Sequence, residues 1–71
     1  VTTDALTFDQ KTGDLLVLDR ANKRIVRWSA TGTLLAQYFN ESFANAGAIA
    51  TSSDGTELIT TQPEAVSFWK I

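Results

Sequence analysis

Four basic side chains crowd into one short segment, and they are the first candidates for chemistry. Arg20, Lys23, Arg24 and Arg27 are four of the six lysines and arginines in the 71-residue chain, and they fall within eight positions. Such a cluster would suit an anion or an RNA backbone. The chain nevertheless has a net charge of −2, and no set of aromatic residues for base stacking accompanies the cluster. We therefore expect a solvated hairpin with one arginine engaged internally, and we predict no nucleic-acid partner.

The residue types most used in catalysis are missing. The chain has no histidine and no cysteine, so it lacks the commonest general base, the commonest metal ligand and any disulfide. A metal held by oxygen ligands needs several that converge on one point, whereas the carboxylates here are scattered. We predict no catalytic residue, no metal site and no cofactor, and we assign Asp9, Asp14 and Asp54 to turns. The acidic residues are Asp4, Asp9, Asp14, Asp19, Glu41, Asp54, Glu57 and Glu64.

Two tryptophans and two glycines indicate an internal repeat. Gly13 recurs as Gly55, 42 positions further on, and Trp28 recurs as Trp69, 41 positions further on. Between each glycine and its tryptophan lie two short apolar runs separated by a polar turn. Either tryptophan would serve as a stacking platform for a sugar, but their shared place in the repeat favours a packing role. A repeat in the low forties that is built from short strands is typical of β-propeller blades.

Short apolar runs predict seven β-strands and no helix. Four strands with hairpin-length connections form an antiparallel meander, and the pattern restarts after the longest loop, at 40–47. The predicted fold class is therefore all-β, with two consecutive antiparallel blades of four plus three strands over residues 1–40 and 41–71. The predicted strands cover 5–9, 15–18, 24–28, 34–39, 48–51, 57–61 and 65–71.

A family resemblance supports the blade interpretation. The first unit carries Gly13, L-L-V-L-D at 15–19, Asn22, R-I at 24–25, Trp28 and Gly32. With this set, residues 5–32 resemble an NHL repeat, the blade unit of a family of six-bladed propellers. The second unit, with S-S-D-G-T-E-L-I and A-V-S-F-W, is similar to a WD-repeat blade. It has Gln62-Pro63-Glu64 in place of the aspartate and asparagine of the first turn.

The run D-x-x-N-x-R-I is the most specific part of the resemblance, and its polar residues suit a structural turn. Asp19 and Asn22 are short side chains that bond backbone groups in turns, and Arg24 offers donors that would pair with Asp19 across the hairpin. The resemblance implies a scaffold or binding module. It leaves open two alternatives: a lactonase- or lyase-like propeller enzyme with a metal in its channel, and an oligomeric propeller lectin.

The loops at one end of the predicted blades form the candidate contact surface. In propellers, the loops that link blades and the loops between second and third strands share one face. We expect a rim there that contacts a protein or a ligand, with Phe43 exposed on it. Asn40-Glu41-Ser42 also matches the N-glycosylation pattern. The predicted rim residues are Arg20, Lys23, Asn40, Glu41, Phe43 and Glu64.

The second strand predicts that this piece needs neighbours. Residues 15–18 (L-L-V-L) are apolar on both faces, and each such side chain left in water forfeits about 1.5–3 kcal/mol. We therefore expect further blades as partners, in the same protein or in partner chains. The start at Val1 and the stop after a third strand lead us to expect a carboxyl-terminal fragment of a longer propeller. No apolar stretch is long enough to cross a membrane, and nothing indicates a compartment.

Overall fold

The structure, a computed structural model, describes residues 4–71. Within that range the chain forms seven strands and two short 3-10 helices. The strands are β1 (Ala5–Phe8), β2 (Leu15–Asp19), β3 (Arg24–Trp28), β4 (Leu34–Phe39), β5 (Ala48–Thr51), β6 (Glu57–Gln62) and β7 (Ala65–Lys70), and the 3-10 helices cover Arg20–Asn22 and Glu41–Asn45.

The strands form two antiparallel sheets, so the all-β prediction is confirmed. The first sheet has the order β1-β2-β3-β4 and the second has the order β5-β6-β7. Three strands have the predicted bounds, and the other four differ by one residue at an end. The clearest difference is Asp9, which leaves β1 because its side chain accepts a hydrogen bond from the Lys11 amide at 2.9 Å and so begins the turn. Asp19 and Gln62 instead extend β2 and β6, and Ile71 lies beyond β7.

The sequence predicted no helix, and the two 3-10 helices lie inside segments predicted as turn and loop. The second one follows Asn40, whose side-chain oxygen accepts a hydrogen bond from the Ser42 amide at 3.0 Å. This is the usual way in which asparagine begins a helical turn. The helix then places Phe43 and Ala46 in the core, at 2% and 0% exposed. The link between the sheets is therefore ordered by one cap and two buried side chains.

The hydrophobic core lies between the two sheets. Side chains alternate across a strand, so Leu16 and Leu18 of β2 point towards the second sheet, as Ile25 of β3 does. Ile49 and Leu58 meet them from the second sheet. Phe43 closes one side of the core, and its ring packs edge-on against Trp69 with 5.2 Å between the ring centroids. One face of each sheet is therefore covered by the other sheet.

The opposite face of each sheet is not covered by the other sheet and is largely apolar. We call these the two open faces. On the first sheet, Leu6, Phe8 and Phe39 are 51%, 59% and 66% exposed, and on the second sheet Val66 and Phe68 are 55% and 63% exposed. The strand register places these further residues on the open faces: Leu15, Val17, Val26 and Trp28 on the first sheet, and Ala48, Ala50 and Ile59 on the second. Two of them, Val17 and Val26, are nevertheless buried in the middle of the first sheet, at 5% and 2% exposed.

The two sheets are aligned along their first strands, β1 and β5, each of which lies at an edge of its sheet. Strands β1 and β5 lie side by side, and the Thr51 hydroxyl donates a hydrogen bond to the Phe8 carbonyl at 3.0 Å. The carboxyl ends of the two strands therefore lie together. The β2–β3 turn, the 40–47 link and the β6–β7 turn consequently lie at one end, which we call the upper end. No helix in the part of the chain that the structure describes is long and apolar enough to span a membrane.

Candidate functional site

The upper end of the first sheet is organised by Asp19. This carboxylate is completely buried at the end of β2. Its Oδ2 accepts hydrogen bonds from Asn22 Nδ2 at 2.8 Å and from Arg24 Nε at 2.9 Å, and Arg24 Nη1 also donates to Gln37 Oε1 at 2.9 Å. The Asn22 amide, with help from Arg24, outweighs the effect of burial and lowers the pKa of Asp19. Asn22 and Arg24, the other two residues of the predicted turn motif, thus both bind the Asp19 carboxylate across the hairpin.

Three of the predicted rim residues meet beside this hairpin. Lys23 has a left-handed backbone, with φ at 53°, which points its side chain towards the link, where Nζ lies 2.8 Å from Glu41 Oε2. The Asn40 amide donates to the Lys23 carbonyl at 3.1 Å. Lys23, Asn40 and Glu41 line a shallow cavity of about 360 Å³ together with Asn22 and Phe39. Most of the Glu41 side chain is in water, at 86% exposed, so this ion pair leaves its charges accessible to a partner.

The other predicted rim residues are placed differently. Arg20 lies at the same end and pairs with Asp4, with 3.3 Å between Nη2 and Oδ1. Glu64 is exposed in the β6–β7 turn, also at the upper end. The expectation that Phe43 is exposed is wrong, because it is 2% exposed and packs against Trp69. An aromatic ring in a short link is more stable in the gap between two sheets than in water. Phe43 therefore supports the rim from beneath.

The structure also contains a largely buried ion cluster that the sequence did not single out. Arg27 lies on the covered side of β3, and its Nη2 is 2.7 Å from Asp9 Oδ2 while its Nε is 2.9 Å from Asp14 Oδ2. Burial raises the pKa of Asp9, but the Lys11 amide and Arg27 outweigh it, and the pKa is lowered. Burial acts against the charge of Arg27, but Asp14, Tyr38 and Asp9 outweigh it, and its pKa is raised. The sequence did contain a signal for this cluster. Arg27 lies two positions after Ile25 in the same strand, so the two side chains share a face, and an arginine on the core-facing side needs an acidic partner.

The two tryptophans of the repeat have different surroundings. Trp69 is partly buried against Phe43 and the core, and it donates its indole N–H to Thr60 Oγ1 at 3.0 Å. Trp28 instead borders a cavity of about 430 Å³ on the open face. Phe8, Gly13, Leu15, Ser29, Ala30 and Gly32 form the rest of its lining. Both tryptophans are thus partly buried, Trp69 against the core between the sheets and Trp28 on the open face.

Several aspartates stabilise turns and strand ends in the part of the chain that the structure describes. Within residues 4–71, no three histidine, cysteine, aspartate or glutamate side chains form a group able to hold a metal ion. Asp4 accepts hydrogen bonds from the Arg20 amide and guanidinium. Asp54 organises the β5–β6 turn, where hydrogen bonds from Thr56 and Ser52 lower its pKa to about 2.

The fold and the upper end define an all-β protein of two stacked antiparallel sheets with a charged loop surface at one end. No protein-family model, no curated protein and no solved structure matches the chain.

Proposed function

We propose that this chain forms two consecutive blades of a β-propeller and acts as a scaffold whose upper end contacts a protein or another ligand. The observation that carries the proposal is the repetition of one strand register in two sheets that stack face to face. In the first sheet Leu15 pairs with Trp28, and in the second Leu58 pairs with Trp69. A repeated sheet that stacks on its own copy is how propellers are built.

The two open faces support the same assignment. A side chain such as Phe68, at 63% exposed, forfeits much of the roughly 1.5–3 kcal/mol that full burial provides. A monomeric protein rarely leaves two broad apolar surfaces in water. In a propeller each sheet has a neighbour on both sides, so both faces would be covered. The rim would remain free, because it lies at the strand ends rather than on the faces.

The upper end has the properties expected of a contact surface. Loops on a rigid scaffold are the usual place for recognition, and here the hairpin is held by the buried Asp19 cluster. Lys23 and Glu41 present opposite charges beside the amide side chains of Asn22 and Asn40. A mixed charged and polar patch of this kind suits a protein segment or another polar ligand. It does not suit bare nucleic acid, since the positive charges are paired.

Imaging the assembled protein tests the architecture. The native protein that contains this chain, viewed by electron microscopy, should show a ring with a central channel into which β1 and β5 face. A compact particle without a channel would refute the propeller proposal.

Binding arrays test the contact surface. The purified chain should be applied to peptide and glycan arrays as wild type, as the rim variant K23A/E41A, and as the control Q10A/K11A at the lower end. The rim variant should lose signals that the control retains. Equal signals from both variants, or a loss confined to the control, would contradict a rim function.

A further inference from the structure

We propose that the two open faces bind each other between copies, so that the first sheet of one copy docks on the second sheet of the next. This inference rests on the proposed blade architecture and adds the identity of the neighbour. The partner is a second copy of this chain, and the contact is head to tail. The argument comes from the internal repeat, which relates each open face to a face that is already covered inside the molecule.

The open face of the first sheet corresponds to the covered face of the second. The register equates Leu15 with Leu58, since each pairs with the tryptophan of its own sheet. It likewise equates Phe8 with Thr51, since these pair with Leu15 and Leu58. By the same count Leu6 corresponds to Ile49 and Trp28 to Trp69. The first sheet therefore leaves in water the surface that, in the second sheet, lies against a neighbouring sheet.

The converse relation holds for the other pair of faces. Leu16 and Ile25, which the second sheet covers, correspond to Ile59 and Val66 on the open face of the second sheet. Ala5 corresponds in the same way to Ala48. The open face of the second sheet is thus the counterpart of the surface that already packs inside the molecule. Joining the two open faces of different copies would repeat, between chains, the sheet-to-sheet part of the contact within one chain, without Phe43 and Ala46 of the link.

The size and the charge of the faces fit such a contact. The Cα atoms span 33 × 26 × 15 Å, and the thin dimension is that of two stacked sheets. Each broad face is therefore large enough for the roughly 800 Å² per partner that stable interfaces bury. Arg24, the cation on the first open face, is already bound to Asp19 and Gln37. On the second, Glu57 and Lys70 are cross-strand neighbours of opposite sign.

Head-to-tail contacts between copies form a ring if the rotation closes. Each copy contributes two sheets, and propellers contain about four to eight. The expected closed assemblies are therefore a dimer, a trimer or a tetramer of this chain. An open series of larger oligomers would arise from the same contact without closure.

A mixing experiment distinguishes this contact from every symmetric one. Phe8→Glu places a charge on the first open face and Phe68→Glu places one on the second, while Ser53→Glu adds the same charge in an exposed turn as a control. Light scattering after size exclusion should show discrete oligomers for wild type and S53E. F8E and F68E should each be monomeric, with association weakened at least ~100-fold by the desolvated charge. A 1:1 mixture of the two should form a heterodimer, because each variant retains the face that the other has lost.

Several results would overturn the proposal. If F8E or F68E alone still dimerises, the contact joins like faces; if the mixture remains monomeric while wild type associates, the contact lies elsewhere. A wild-type chain that stays monomeric at millimolar concentration would also refute it. Circular dichroism identifies a variant that fails to fold, and Phe39→Lys and Val66→Lys then replace the two variants. If electron microscopy shows a ring but cross-linking joins this chain to a different polypeptide, the inference is overturned. The proposed propeller would remain valid in that case.

Discussion

The sharpest test of the contact between the two sheets is an added methyl group at Gly55. This glycine has φ at +74°, and a Cβ there would lie 2.9 Å from Asp9 Oδ1 and 3.2 Å from Lys11 Cβ in the first sheet's turn. Asp9 has no room to yield, since it is 1% exposed and holds both the Lys11 amide and Arg27. Gly13 provides the matched control, because its φ is +79° and a Cβ there would meet nothing within 4 Å.

The two substitutions should differ by the cost of that contact. A left-handed backbone costs a residue with a Cβ about 1–2 kcal/mol, and the reduced entropy of the unfolded alanine chain offsets about 0.4–1 kcal/mol of it. We therefore expect Gly13→Ala to lose about 1 kcal/mol of unfolding free energy. Gly55→Ala carries the same backbone term and adds about 1–3 kcal/mol of overpacking. Its expected loss is about 2–4 kcal/mol.

Urea unfolding followed by tryptophan fluorescence measures both losses, at one fixed protein concentration because association shifts apparent stability. A double-mutant cycle isolates the cause. In an Asp9→Ala background the carboxylate is gone, so Gly55→Ala should cost less than it does in the wild-type background, and only the 3.2 Å contact with Lys11 Cβ remains. If Gly55→Ala is no worse than Gly13→Ala in the wild-type background, or if its cost is unchanged without the carboxylate, the packing of the second sheet's turn on Asp9 is refuted.

Three further predictions concern Arg27, Asp54 and Phe43. Arg27→Met should lower the free energy of unfolding, measured in urea at neutral pH, by about 3 kcal/mol, because Asp9 is left buried without its cation. This loss should become smaller as the pH falls and Asp9 takes up a proton. A loss that does not change with pH would contradict the prediction. Carbon-detected NMR titration should give Asp54 a pKa of about 2, against 3.8 when unfolded. The stability from its hydrogen bonds should then persist above pH 3.8 and disappear as the pH falls towards 2, whereas a titration near 3.8 would exclude those bonds. Phe43→Ala should lose about 3–5 kcal/mol in the same unfolding assay, and a loss within the roughly 0.5 kcal/mol range of surface positions would show that the ring is not in the core.

Most of the fold was predictable because its signals are local. The predicted and observed bounds of β3, β4 and β5 agree, since short apolar runs between turn residues need no distant contact to be recognised. The interaction of Asp19, Asn22 and Arg24 was equally accessible, because all three lie within one hairpin. The end of β1 was missed by one residue. Asp9 favoured the turn once its carboxylate could reach the Lys11 amide, and side-chain bonds of this kind compete with strand pairing.

The candidate site was less predictable because it depends on separate segments. The pair of Lys23 and Glu41 joins residues 18 positions apart, and Arg27 reaches Asp9 across the same distance. Neither contact leaves a pattern at short range. Phe43 was placed in water because nothing near it in sequence indicates a cover. The cover is Trp69, 26 positions further along the chain.

The amino-acid sequence by itself therefore determined the strands, the hairpins and the repeat, because β-alternation and turn chemistry operate over a few neighbouring residues. Only the tertiary structure decided which face of each sheet is covered, which carboxylates pair with Arg27 and what each tryptophan packs against. Those outcomes depend on how the two sheets stack. Stacking depends on contacts between segments that are distant in the sequence. Equivalent residues of the repeat therefore differ in environment when one of them contacts the other sheet and its counterpart does not.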